Sequence, residues 1–179
     1  MLLYELETKV NSPILYVDMD GVLADFYGPF NKMAGVSSWK DASKDTVSQV
    51  LRDITKQQDF WINLDVLSGV PKLLSAIQSL FNGQYKVLSK ALAGDKRVVA
   101  QKKQWVQANM QLQPNEIIIM PATADKGIYA TQSDGSANIL IDDFGYNIKK
   151  WRSAGGIGIQ HTNDTVNNTI KQLQQVLNK

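Results

Sequence analysis

A chain of 179 residues with 19 Lys and Arg, 17 Asp and Glu and no cysteine suits one domain with room for a modest insertion. The small net charge of +2 excludes bulk attraction to nucleic acid or membrane. The lack of cysteine excludes a thiol nucleophile, a disulfide framework and a cysteine-based zinc site. An apolar fraction of 44% with 20% charged residues is that of a globular chain. Met1-Leu2-Leu3-Tyr4-Glu5 carries acid early and leads into no long apolar run, so no signal peptide is expected. No apolar run approaches the ~20 residues of a membrane-spanning helix. The expectation is a soluble, cytoplasmic protein without a membrane partner.

In chain order, Ile14-Leu15-Tyr16-Val17 is a continuous apolar run ending at Asp18, as expected of a strand buried on both faces. Similar runs follow at Tyr85-Lys86-Val87-Leu88, Ile117-Ile118-Ile119 and Ile139-Leu140-Ile141, with a weaker one at Gly158-Ile159-Gln160. Helical spacing predicts a helix from Val70 to Phe81, with Pro71 in its first turn, and another from Asp95 to Met110, capped near Asp95. Two more are predicted from Asn147 to Ala154 and from Thr165 to Leu177. This alternation predicts an α/β, Rossmann-like, mostly parallel sheet with helices on both faces. Phe26 to about Ser68 breaks it with helical spacing (Val47, Val50, Leu51, Ile54) and no convincing strand. The expected division is therefore a core of residues 1–26 and 69–179 with a helical insertion over 27–68.

In an open α/β sheet, ligands bind outside the carboxyl ends of the strands. Asp18 and Asp20, Ser89 and Lys90, and Asp142 and Asp143 all fall at such ends. Clustered carboxylates repel unless a cation sits among them, and oxygen ligands suit Mg²⁺. The set has the parts of a phosphomonoester hydrolase. A carboxylate nucleophile splits hydrolysis into two steps through an aspartyl-phosphate. A second carboxyl two residues on can donate and then accept a proton. A hydroxyl and a lysine offset phosphate charge. Lys102, Lys103 and Lys126 are the rival lysines, and the Trp105 spacing favours Lys102. Asp25 reads as a helix cap, and His161, the one histidine, as a loop residue without a catalytic role.

The run Asp18-Met19-Asp20-Gly21-Val22-Leu23-Ala24-Asp25 resembles the first motif of the haloacid dehalogenase superfamily phosphatases. Val87-Leu88-Ser89, a helix lysine and Ile139-Leu140-Ile141-Asp142-Asp143 follow in that superfamily's order. Within it the chain is similar to the 5′(3′)-deoxyribonucleotidases. The likeness rests on the first motif extended through Phe26, on Lys102-Lys103-Gln104-Trp105-Val106, on Asp125-Lys126 and on Phe60-Trp61 ahead of Gly69-Val70. The resemblance implies Asp18 as nucleophile and metal ligand. It implies Asp20 as acid/base that ligates metal through its carbonyl, and Asp143 as the remaining Mg²⁺ ligand with Asp142 in support. Ser89 and Lys102 would bind phosphate, and Phe26, Phe60 and Trp61 would line a substrate pocket under a small helical cap. The implied substrate is a nucleoside monophosphate, and a homodimer is compatible with the family.

The chain departs from the family at Lys90, which stands where a small hydroxyl residue is usual. Ala91-Leu92-Ala93-Gly94 lacks a lysine found there in relatives, and the Ser- and Gly-rich loop from Thr131 to Ala137 is longer than expected. The alternatives are the same chemistry on a sugar phosphate or a nucleic-acid 3′-phosphate, and a non-catalytic phosphate-binding domain. The absence of a basic stretch weighs against a polynucleotide.

Overall fold

Each apolar run becomes a strand, and the five strands lie parallel with their carboxyl ends along one edge. The computed structural model describes residues 12–92 and 95–178; the acid-bearing N-terminus and the Ala93-Gly94 pair lie outside the described residues. The strands are β1 (Leu15–Val17), β2 (Lys86–Ala91), β3 (Ile117–Pro121), β4 (Ile139–Asp142) and β5 (Ile157–Gln160), in the order β3-β2-β1-β4-β5. The register sets Val17 beside Val87 on one side and Ile141 on the other. From β1 the chain builds outward first through β2 and β3, then on the opposite side through β4 and β5. The reversal falls between β1 and β4, where an open α/β sheet forms its ligand crevice.

Alternate strand residues face opposite sides, so the central strands feed two cores. Leu15, Val17, Val87, Ile139 and Ile141 pack with α3 (Val70–Phe81), α4 (Lys96–Met110) and α6 (Val166–Leu177) through Leu73, Ile77, Val98, Trp105 and Leu173. Tyr16, Leu88 and Leu140 pack with Ile148 and Trp151 of α5 (Gly145–Ser153) on the other face. Full burial of each such aliphatic side chain is worth roughly 1.5–3 kcal/mol. Both faces are covered, which explains the continuous rather than alternating apolarity of these strands.

Between β1 and α3 the chain makes an excursion through α1 (Tyr27–Ala34) and α2 (Lys44–Lys56), with a 3₁₀ turn at Trp39–Asp41. Its two ends meet. Ala24 and Val66 form an antiparallel bridge, the Leu67 N–H donates to the Leu23 carbonyl, and the Asp25 N–H donates to the Asp65 carbonyl. α4 anchors the returning stretch: Trp105 Nε1 donates to the Leu64 carbonyl at 2.7 Å, and Gln101 Oε1 accepts from the Trp61 N–H at 3.2 Å. Among the described residues no helix is long and apolar enough to cross a membrane.

Candidate active site

Asp18 is the first residue past β1, and its N–H continues the ladder by donating to the Ile141 carbonyl at 2.9 Å. That bond carries the Asp18 side chain to the sheet edge beside Asp142 and Asp143. The chain then turns sharply: the Met19 carbonyl accepts from Leu23 at 2.8 Å and from Ala24 at 2.9 Å. Gly21 makes this turn with φ +75°, and a Cβ there would lie 2.7 Å from Asp143 Oδ2 and 2.7 Å from the Tyr27 ring. The glycine is therefore needed twice, for the left-handed backbone and for the space.

Asp18, Asp142 and Asp143 each offer an oxygen within 4.8 Å of the others. Asp142 is already engaged. Its Oδ1 accepts from the Phe144 N–H at 2.9 Å, its Oδ2 lies 2.6 Å from Lys126 Nζ, and Asn147 Nδ2 reaches both oxygens at 3.2 and 3.1 Å. Asp143 Oδ2 accepts from the Tyr27 hydroxyl at 2.7 Å. Burial first, and repulsion from Asp18 second, push the Asp143 carboxyl up to about 7. Burial and the same neighbour also raise Asp142. Carboxylates whose charge is resisted this way are the donor set a hard divalent cation relieves. A second sign is the buried Asp20 Oδ1, which has no hydrogen-bond partner. Asp18, Asp142 and Asp143 fit a hard divalent cation.

Two lysines reach the carboxylates, and both are almost completely buried. On α4, Val98, Gln101, Lys102 and Trp105 form one buried stripe at helical spacing, so Lys102 points at the sheet while Lys103 is exposed. Lys102 Nζ ion-pairs with Asp20, donates to the Lys90 carbonyl at 2.8 Å, and lies 3.2 Å from Ser89 Oγ and 5.7 Å from the centre of the Trp61 ring. Lys126, in a 3₁₀ turn (Lys126–Tyr129) whose first turn Asp125 caps, sits 2.9 Å from Asp18 Oδ1 as well as on Asp142. Burial works to lower the Lys126 ammonium, but Asp18 and Asp142 outweigh it and hold the group above its usual range. The Asp20 carboxyl is raised because burial, helped by Asp18, outweighs the attraction of Lys102.

A cleft of about 320 Å³ opens onto this edge, lined by Asp18, Asp20 and Asp143 and walled by Phe26, Leu51, Trp61 and Leu92. Phe26 and Trp61 thus face the carboxylates. Phe60 is packed edge-on against both and borders a separate hollow with Pro29 and Met33. Lys90 also lines the cleft and donates to Asn147 Oδ1 at 3.3 Å; burial and the nearby Lys126 charge hold its ammonium below the usual range.

Two residues that sequence reasoning passed over belong to this edge, beside Lys126, which it weighed as a rival to Lys102. Lys126 enters together with Lys102 rather than instead of it. Asn147 joins Asp142 to Lys90, and Tyr27 joins Asp143 to α1. Of these, Tyr27 had a signal, because it directly follows the motif that ends at Phe26. His161 is buried at the end of β5, its N–H donating to the Asp142 carbonyl at 3.0 Å and its Nδ1 2.9 Å from Thr169 Oγ1. It is a core residue behind the site. Asp25 caps α1 by accepting from the Gly28 N–H at 2.8 Å.

The fold is that of the haloacid dehalogenase-like hydrolases. A haloacid dehalogenase-like family hydrolase from Xanthomonas campestris superposes with a TM-score of 0.56 at 11% identity, covering 93% of each chain. No curated protein sequence matches the chain. The family model described as 5′ nucleotidase, deoxy (pyrimidine), cytosolic type C protein matches residues 12–178. The chain therefore belongs to this family, and it is a phosphatase of the 5′-nucleotidase kind.

Proposed function

We propose that the protein is a cytoplasmic, Mg²⁺-dependent nucleotidase that removes phosphate from nucleoside monophosphates through a phosphorylated Asp18. The observation that supports this most is one cleft lined by Asp18, Asp20 and Asp143, whose first two carboxylates are paired from behind by Lys102 and Lys126. The Asp18 carboxylate attacks phosphorus, and the bond from phosphorus to the ester oxygen breaks as the Asp18–phosphorus bond forms. Asp20, beside Asp18 in the cleft, donates a proton to the leaving oxygen. It then takes a proton from the water that attacks phosphorus, which breaks the bond to Asp18 and releases inorganic phosphate. Asp18 and Asp143 would hold Mg²⁺, with Asp142 fixed beside them. When bound, the ion neutralises charge between the carboxylates and the phosphate.

Lys126 keeps Asp18 aimed by gripping it and Asp142 together. Lys102 and Ser89 share the other side of the phosphate position, where the ammonium offsets anionic oxygens. The residues 27–68 act as a cap, and the base lies against Phe26 and Trp61 in the apolar half of the cleft.

The test is release of inorganic phosphate from a panel of deoxynucleoside and nucleoside monophosphates with Mg²⁺, run beside sugar phosphates. Turnover of at least one nucleotide is expected. The Asp18→Asn variant is expected to lose at least about a thousandfold in kcat with an unchanged circular dichroism spectrum. Turnover restricted to sugar phosphates would overturn the substrate class, and an active Asp18→Asn variant would overturn the nucleophile.

A further inference from the structure

Asp143 approaches the carboxylate cluster from β4, but what orients it comes from the excursion after β1. Tyr27, the first residue of α1, donates its hydroxyl to Asp143 Oδ2 at 2.7 Å across 116 residues of chain. The ring is held from the far side by Trp39, stacked at 5.7 Å with an interplanar angle of 16°, and edge-on by Phe26 at 5.5 Å. Below, the bare Gly21 backbone leaves room for both the carboxylate and the ring, since a Cβ would strike each at 2.7 Å. One Asp143 oxygen is thus taken by the phenol, and rotation of the carboxylate would break that bond.

We infer that Tyr27 is a positioning residue that presents Asp143 to the cation and ties cation affinity to the seating of the segment bearing α1 and Trp39. The inference rests on the metal-dependent reading of the site. An outer hydrogen bond to a ligating carboxylate restricts its orientation before the ion arrives, so its loss weakens binding, typically by 10–100-fold. Coupling of this kind is reciprocal: if the position of Trp39 favours the cation, the cation favours that position of Trp39. Nothing else about Tyr27 requires its hydroxyl, because the ring contacts with Trp39 and Phe26 are those phenylalanine would keep.

Isothermal titration of the full chain with MgCl₂ is the direct test. Tyr27→Phe is expected to raise the Mg²⁺ dissociation constant about tenfold or more with the circular dichroism spectrum in EDTA unchanged. A Mg²⁺-dependent change in tryptophan fluorescence is expected in the wild type, smaller in Trp39→Phe, where Trp61 still reports from the cleft, and smaller in Tyr27→Phe at saturating Mg²⁺. Equal Mg²⁺ affinity in wild type and Tyr27→Phe would overturn the positioning role while leaving the metal site standing. A fluorescence change in Trp39→Phe as large as that of the wild type would overturn the link to Trp39. Failure of the wild type to bind Mg²⁺ would overturn both the inference and the metal-dependent reading beneath it.

Discussion

Lys126 Nζ lies 2.6 Å from Asp142 Oδ2, and the two side chains are 1% and 0% exposed. An ion pair so deep is held by its partners rather than by solvent. Desolvation of both charges offsets most of their attraction, so the pair adds little net stability, but removing one member strands the other. Lys126→Met should cost about 3–5 kcal/mol in urea-induced unfolding, because Asp142 and Asp18 both lose their cation. The control is Lys150→Met. Lys150 pairs with Asp125 at 3.2 Å on the surface, where the two side chains are 47% and 44% exposed, and its loss should cost less than about 1 kcal/mol. Similar costs for the two variants would contradict the burial argument.

Gly21→Ala and Gly35→Ala separate backbone strain from crowding. Both glycines have positive φ, +75° and +65°, but a Cβ at Gly35 meets nothing within 4 Å, whereas at Gly21 it meets Asp143 and Tyr27. Gly35→Ala should cost about 1–2 kcal/mol, the ordinary penalty of the left-handed region. Gly21→Ala should cost that and more, with Mg²⁺-dependent activity falling further than stability does. Thermal unfolding of both variants and a Mg²⁺ activation curve for the second would check this.

His161 makes stability depend on pH. Burial holds its imidazole down at about 4, against about 6.5 when exposed. Between those values the unfolded chain binds a proton that the folded one refuses, so stability rises with pH. The contribution is complete above about 6.5 and is lost as pH falls through about 4, amounting to roughly 3 kcal/mol. The buried carboxyls Asp20, Asp142 and Asp143 are shifted up and act with the opposite sign, so the comparison must be made between variants. His161→Gln should flatten the wild-type loss of stability between pH 6.5 and 4, as read by urea midpoints across that range.

The strands were legible because burial on both faces leaves an uninterrupted apolar run, as in Ile139-Leu140-Ile141. Their ends were less so. β2 continues past Leu88 through Ser89, Lys90 and Ala91, since these residues pair with Ile119, Met120 and Pro121 of β3, and no local pattern records that partner. α5 begins at Gly145 rather than Asn147, because the Asp142 carboxylate reaches forward to the Phe144 N–H just ahead of the first turn. In the site, the spacing to Trp105 favoured Lys102 over Lys103, and in the folded chain the first faces the sheet and the second water. Lys126 had no such periodicity, lying in a short 3₁₀ turn, and only the folded chain shows two lysines sharing one acidic edge. The aromatic pair Phe60-Trp61 could not be divided by reading alone. Adjacent residues point different ways, and packing sends Trp61 to the cleft and Phe60 to the far side.

The bridge between Ala24 and Val66 has a consequence for how this chain can change. With the neck closed by backbone hydrogen bonds from Leu67 to Leu23 and from Asp25 to Asp65, the excursion leaves and re-enters the sheet edge at neighbouring points. Lengthening a loop whose ends already meet costs only about 0.6 kcal/mol for each doubling. The stretch between the two ends can therefore grow, shrink or be exchanged wholesale while Asp18 stays in register with Ile141. Descendants of this sequence are free to vary in what they admit over a carboxylate edge that does not move.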